Sequence, residues 1–275
     1  MGRILKFDMP VDTGYFTPVQ VQPRILTSLT WNALARWLKE YAISPSVMIN
    51  KQHFGLVVLG FDIQQFKALR FADTEVLEIM ASLEVLKSGS RVRLGNEFRS
   101  SGENDIFAKV GLTLIPVAID DPESLAAHPA NLPQRILDHF DPDEIKPDSA
   151  PRILPELKEN IEQNGQFLVE RKHQFTLHRH LCEVADQWAW YELPCVMEAN
   201  TEQIAREASA ETAILKRSLS EPLNSLAVEF SKPYFWQDQG LLCSKAYEWS
   251  GKLAFVHELR GTNNSEVYGV GVEIF

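Results

Sequence analysis

Residues 175–186 hold the densest set of reactive side chains in the chain. They read FTLHRHLCEVAD and carry His178, His180, Cys182, Glu183 and Asp186. On a strand, side chains alternate between faces, so His178, His180 and Cys182 would share one face and could line a pocket. Imidazole and carboxylate are the groups that exchange protons near neutral pH. Glu198 follows on a stretch of helical composition with Glu202 and Glu207. Between them, Trp188, Trp190 and Tyr191 supply apolar walls with polar tips. The first half of the chain is sparser. Thr27, Ser28, Thr30 and Asn32 gather near a predicted helix start, with no His and no acid from there until Glu40. Asn32 is the polar group there that could hold a carbonyl or orient a water.

Bulk properties narrow the chemistry. A zinc site needs four well-placed ligands, and no such set is found, so no metal is expected. Cys182, Cys195 and Cys243 are odd in number and form no CxxC pair, which points to a reducing compartment. The formal net charge of −10 disfavours a general nucleic-acid binder, which needs a basic face. The first residues, MGRILKFDMPVD, lack the apolar core of a secretory signal, and no run is long enough to span a membrane. A cytoplasmic location is expected.

Two stretches look like one module used twice. Lys67 precedes Asp73 by six residues, and Lys232 precedes Asp238 by six. Glu97-Phe98-Arg99 then matches Glu258-Leu259-Arg260, and Asp105-Ile106-Phe107 matches Glu266-Val267-Tyr268. Asp73 and Asp238 read as turn residues, since Asp bonds its own backbone nearby.

The elements that must position these groups follow from periodicity. Residues 1–17 read as an extended lead-in, and 19–26 as an edge strand containing Pro23. Residues 31–42 recur at helical spacing through Leu34, Trp37, Leu38 and Tyr41. Strands are expected over 54–63, 75–86, 91–99 and 105–117. Residues 121–164 are proline-rich and acidic and read as a linker, with one short helix near 132–139. It is either a solvated tether or an ordered crossover. The second module spans 165–275, with a strand over 166–181 and a helix over 196–215.

A buried helix followed by an antiparallel meander, present once in 1–120 and again in 165–275, resembles a tandem hotdog protein. The resemblance implies an α+β fold of two modules, each with a central helix wrapped by an antiparallel sheet. Hotdog enzymes act on acyl thioesters, so it implies a substrate carried on CoA or on the phosphopantetheine of an acyl carrier protein, with no separate cofactor. The site would lie between the modules near a helix start, where unpaired N–H groups favour a developing oxyanion. On that resemblance Asp186, Glu198 and His180 are the catalytic candidates, and Asn32, His178, Trp190 and Tyr191 the substrate-binding ones. Trp188-Ala189-Trp190 stands where related thioesterases carry Gly-His. Residues 193–197 (LPCVM) resemble the Pro-Val-Met turn of the dehydratases, without the Pro-Gly that follows it there and without the upstream His. Thioesterase or related acyltransferase activity, possible in polyketide-type or fatty-acid-type biosynthesis, is the leading expectation. A dehydratase, or a non-catalytic acyl-binding or partner-binding protein, are the alternatives. The assembly is either a monomer with an intramolecular hotdog pair or a homodimer.

Overall fold

A computed structural model describes residues 2–121, 123–147, 153–183, 185–210, 212–262 and 266–275. The chain opens with strand β1 (Ile4–Pro10), then helix α1 (Pro23–Tyr41) and a short helix α2 (Pro45–Gln52). Strands β2 (Phe54–Gln65), β3 (Val76–Leu86), β4 (Val92–Ser100) and β5 (Ile106–Asp121) complete the first half. A crossover follows, with β6 (Ala126–Pro129), α3 (Gln134–Leu137), β7 (Ile145–Lys146) and α4 (Ile153–Asn164). The second half repeats the plan with β8 (Gln166–Thr176), α5 (Leu193–Ala208), a short α6 (Arg217–Ser220), β9 (Ser225–Phe230), β10 (Gln239–Trp249), β11 (Lys252–Gly261) and β12 (Val267–Ile274).

One sheet runs through both halves in the order β1-β3-β4-β5-β2-β9-β12-β11-β10-β8. The second five strands repeat the first five in mirrored order, which is the pattern of a pseudo-two-fold. The seam is the antiparallel pair β2–β9, from Gly60 opposite Glu229 to Gln64 opposite Ser225. Gly60 is required there, because a Cβ at that place would lie 2.5 Å from the Val228 carbonyl oxygen. Pairing at the seam also covers an edge strand in each half.

The repeat seen in sequence is a repeat of hydrogen bonds. The backbone N–H groups of Phe66 and Lys67 both donate to the Phe107 carbonyl, and those of Ser231 and Lys232 both donate to that of Tyr268. The Asp73 and Asp238 carboxylates each accept from the backbone N–H three residues earlier, at 2.8 Å. Both are turn residues, as expected. Ladder shifts fall at the matching places, Phe98/Arg99 and Leu259/Arg260.

Helix α1 starts eight residues before the expected 31, and no strand forms over 19–26. Pro23 is its first residue, where a fixed φ suits the first turn and the missing N–H is no loss. Only an isolated bridge, Phe16 to Val21, remains of the expected strand. Leu26, Ala33, Leu34, Trp37 and Leu38 bury one face against the sheet. Thr27 and Thr30 sit in that face because their hydroxyls donate to carbonyls of the preceding turn. The expected lead-in contains β1, whose Leu5, Phe7 and Met9 alternate toward the core. Helix α5 covers Leu193–Ala208 rather than 196–215, with Pro194 again in the first turn.

The proline-rich segment is ordered over its described residues, although Pro122, Pro151 and residues 148–150 lie outside them. Helix α4 presents Leu154, Leu157 and Ile161 at helical spacing to the outer face of the second half. There Ala254 and Val256 of β11 point at α4, while Leu253, Phe255 and Leu259 point into the main core. β11 is thus covered on both faces, which is why it reads as a nearly unbroken apolar run. The tether reading gives way to the ordered crossover because these two apolar surfaces need each other.

Candidate active site

The reactive cluster of 175–186 does not continue the strand. β8 ends at Thr176, and Arg179–Leu181 form a 3-10 turn. A tight hairpin then folds back. The Glu183 N–H donates to the Gln187 carbonyl at 2.8 Å, and the Asp186 N–H to that of Glu183 at 3.0 Å. Cys182 bridges Trp188, and Gln187 bridges Phe235. The Trp188 N–H donates to the Tyr234 carbonyl at 2.9 Å, and that of Trp236 to the Asp186 carbonyl at 2.8 Å. The hairpin is therefore clamped against the chain that follows β9.

This clamp closes one side of a cavity of about 150 Å³ between the two halves. Trp31 of α1 and Leu56 of β2 form the first-half wall; Glu183, Trp188, Trp190 and Tyr234 form the second-half wall. The aromatic rings hold one another in place. Trp190 lies 6.0 Å from Trp31 and 5.2 Å from Phe61, and Trp188 lies 5.7 Å from Tyr234. The helix starts are tied as well. Arg24 pairs with Glu192 at 2.9 Å, and the Thr27 hydroxyl donates to the Tyr191 carbonyl.

Three residues with buried donors and one acid line this cavity. The indole N–H groups of Trp188 and Trp190 and the Tyr234 hydroxyl have no hydrogen-bond partner among the described residues. Leaving such groups unpaired is unfavourable by ~1–3 kcal/mol each, so they are poised for an acceptor. Burial pushes the Glu183 carboxyl up to about 7, where it can both take and return a proton at neutral pH. Burial likewise raises the Tyr234 hydroxyl and that of Tyr191, the latter helped by Glu183 and Glu192. The Cys195 thiol is pushed up to about 11, and that of Cys182 is raised too, both chiefly by burial. Neither thiol is prepared as a nucleophile. A second cavity of about 150 Å³ adjoins the first through Trp31 and Leu56. Its other walls, including Leu34, Leu38, Met48 and Ile49, are apolar.

No protein family is matched by the sequence, and no curated protein resembles it in sequence. Solved structures do match over the whole chain. A protein of Lactobacillus plantarum assigned as an oleoyl thioesterase superposes with a TM-score of 0.72 at 8% identity, covering 99% of this chain and 95% of its own. An acyl-ACP thioesterase of Bacteroides thetaiotaomicron gives 0.68 at 11% identity, with 99% and 97% covered. The 12:0-ACP thioesterase of Umbellularia californica gives 0.67 at 11%, with 99% and 94% covered. The chain has the tandem hotdog fold.

Within the double hotdog, the residues singled out from sequence are scattered. Asp186 is exposed on the outer side of the hairpin, at a left-handed φ of 51°, and pairs with Arg179 at 3.2 Å. His178 and His180 are exposed, with parallel rings 6.0 Å apart. The strand face expected for His178, His180 and Cys182 does not exist, because the chain turns at Leu177 and the alternation stops there. Glu198 lies half-buried on α5. Its carboxyl is raised to about 8, first by burial and then by Glu273 and Glu202. None of Asp186, His180 and Glu198 lines the inter-module cavity. Asn32 is exposed on α1, while its neighbour Trp31 lines the cavity. Trp190 lines it as well, and Tyr191 stands half-buried beside Trp190, with ring centroids 6.0 Å apart. Sequence reasoning named Glu183 in the reactive cluster without choosing it as a candidate, and left out Tyr234. No local pattern marks them, since both depend on the clamp between hairpin and post-β9 chain. Among the described residues, no group of three or more His, Cys, Asp or Glu is placed to hold a metal ion. No helix among them is long and apolar enough to cross a membrane.

Proposed function

We propose that this chain hydrolyses an acyl thioester carried on CoA or on the phosphopantetheine of an acyl carrier protein, with the inter-module cavity as its site. The observation that carries the reading is one proton-exchanging carboxyl, Glu183, lining the inter-module cavity beside three residues with unpartnered donors. The three structural neighbours named above are described as thioesterases, two of them acting on acyl-ACP, which supports the same substrate class.

The chemistry follows from the groups present. Ionised Glu183 takes a proton from water as the water oxygen bonds to the thioester carbonyl carbon. The carbonyl oxygen gains the electron pair of its broken π bond and is met by the donors of Trp188, Trp190 and Tyr234. Collapse restores the carbonyl and breaks the carbon–sulfur bond. The departing thiolate receives the proton held by Glu183, which returns to its starting state. The acyl chain runs past Trp31 toward the apolar second cavity. Among the described residues the lining contains no histidine, so the His–acid pair of a dehydratase is not supported here.

The two halves complete the site within one chain, so a monomer suffices. The three cysteines are unpaired, in keeping with a cytoplasmic protein. The test is release of free thiol from a panel of acyl-CoAs and acyl carrier proteins. We expect turnover that disappears in Glu183→Gln. Acyl binding without thiol release from either carrier would sink the enzyme reading in favour of a binding protein.

A further inference from the structure

Helix α5 is tied to the sheet by a chain of polar groups that the cavity does not touch. The Asn200 side-chain amide donates to the Ser244 hydroxyl at 2.5 Å. Ser244 lies 2.7 Å from His257 Nδ1. His257 Nε2 lies 3.2 Å from Glu273 Oε2, and the Thr201 hydroxyl donates to that same oxygen at 2.7 Å. The direction of the chain is set by its first member. With the Asn200 amide nitrogen as the donor to Ser244, the Ser244 hydroxyl donates onward to Nδ1. The imidazole then carries its proton on Nε2 and donates it to Glu273. Ser244, His257 and Glu273 are each 0% exposed, and Asn200 and Thr201 nearly so. No substrate reaches this serine, histidine and glutamate despite their order.

The first half shows that folding does not require them. In the paired ladders, Ser244 opposes His257 as Ala81 opposes Asn96. His257 opposes Gly271 as Asn96 opposes Val110, so two residues on, Glu273 corresponds to Leu112. The same sheet positions are thus filled by Ala81, Asn96 and Leu112, all buried, and Asn96 finds no partner for its amide among the described residues. A buried polar network with directional bonds is seldom the most stable filling of such a place. What it adds is a fixed geometry, because each bond has a direction that apolar packing lacks.

We propose that His257, held between Ser244 and Glu273, is a positioning residue for the thioester site. The network locks the rotation and height of α5 on β10, β11 and β12. That helix begins directly after the Trp190–Glu192 turn, which carries the cavity's Trp190 indole and the Arg24 contact. On the same helix, burial raises the Glu198 carboxyl and Glu273 adds to that rise. The inference rests on the cavity being the acyl-thioester site.

The test converts the second half to the filling of the first: Ser244→Ala, His257→Asn and Glu273→Leu together, with Thr201→Val, which removes one bond, and Ser244→Ala, which removes two, as milder single variants. Thiol release and the six tryptophan indole N–H signals in a nitrogen-15 spectrum are read side by side. We expect the triple variant to lose kcat by about tenfold or more with KM changed by less than about threefold, as misplacement of a site predicts. The Trp190 indole signal should move in all three variants. Folded variants with wild-type kcat and an unmoved Trp190 signal would overturn the proposal, and the single variants decide it if the triple one does not fold. Should the wild-type protein release no thiol at all, the thioester reading fails, and the indole signal alone still decides whether the network positions the turn.

Discussion

Replacing Glu183 by Gln should make the protein more stable and less active, with opposite pH dependences. The ordinary Glu value is 4.5 and burial raises Glu183 to about 7. At 1.36 kcal/mol per pKa unit, that rise is worth at most ~3 kcal/mol, an upper figure because the half-buried carboxyl keeps some access to water. The folded carboxyl holds its proton more tightly than the unfolded one. The folded state therefore binds more protons between pH 4.5 and 7, and stability falls as pH rises through that window. The contribution is complete below 4.5 and lost above about 7. An amide never ionises, so the variant escapes this loss. Denaturant midpoints should leave the variant and wild type similar near the acid end and separate them in the variant's favour by up to ~3 kcal/mol at about pH 8. Glu198 adds a loss of the same sign, but it is common to both proteins and cancels in the difference. Activity should run the other way. Wild-type kcat/KM should climb through pH about 7 as the base ionises, and the variant should be ~100-fold slower or worse. Equal stability curves would show that the carboxyl is not desolvated. Retained activity in the variant would show that it is not the base.

Trp31→Ala should join the two adjoining cavities into one, since Trp31 lines both. The expected outcome is a shift toward longer acyl chains by about tenfold in relative kcat/KM, read across a chain-length series. Gly60→Ala should loosen the seam between the halves, because its Cβ would press on the Val228 carbonyl. A loss of ~2 kcal/mol or more is expected, seen as a lower thermal midpoint, and an unchanged midpoint would show that β2 and β9 can separate without penalty. A non-hydrolysable acyl thioester should bind once per chain despite the twofold backbone. The place of Tyr234 is taken in the first half by buried Leu69, which has no hydroxyl to offer. Two equivalents by calorimetry would contradict that asymmetry.

The sheet was legible because its rules are local. Alternation and turn residues located β2, β3, β4 and β5 to within a few residues, and the paired Lys–Asp and Glu–Arg spacings revealed the duplication. Helix starts were less legible. Pro23 reads equally well as an edge-strand residue or as the first residue of a helix, and only the buried face running from Leu26 to Leu38 decides. The site was the least legible part. Extending the strand through His178 put Cys182 with the histidines, whereas the turn at Arg179–Leu181 breaks that alternation. Within one hairpin, Asp186 then faces water beside Arg179 while Glu183 faces the cavity. The two acids stand three positions apart in opposite environments, and composition cannot choose between them.

The asymmetry between the halves is chemical rather than architectural. Both halves close the same hydrogen bonds at Phe107 and Tyr268, and both use an aspartate to hold the following turn. A duplicated backbone supplies two places where a helix start meets the other half's sheet. The side chains furnish the second half's place with Glu183, Trp188, Trp190 and Tyr234, and they back its helix with a buried polar network that the first half fills with Ala81, Asn96 and Leu112. The first half contributes Trp31 and the apolar cavity beside it. On the proposed function, one half holds the reacting groups and the other holds room for a chain. That division is available only when two hotdog modules share one polypeptide, because identical subunits would have to carry both sets at once.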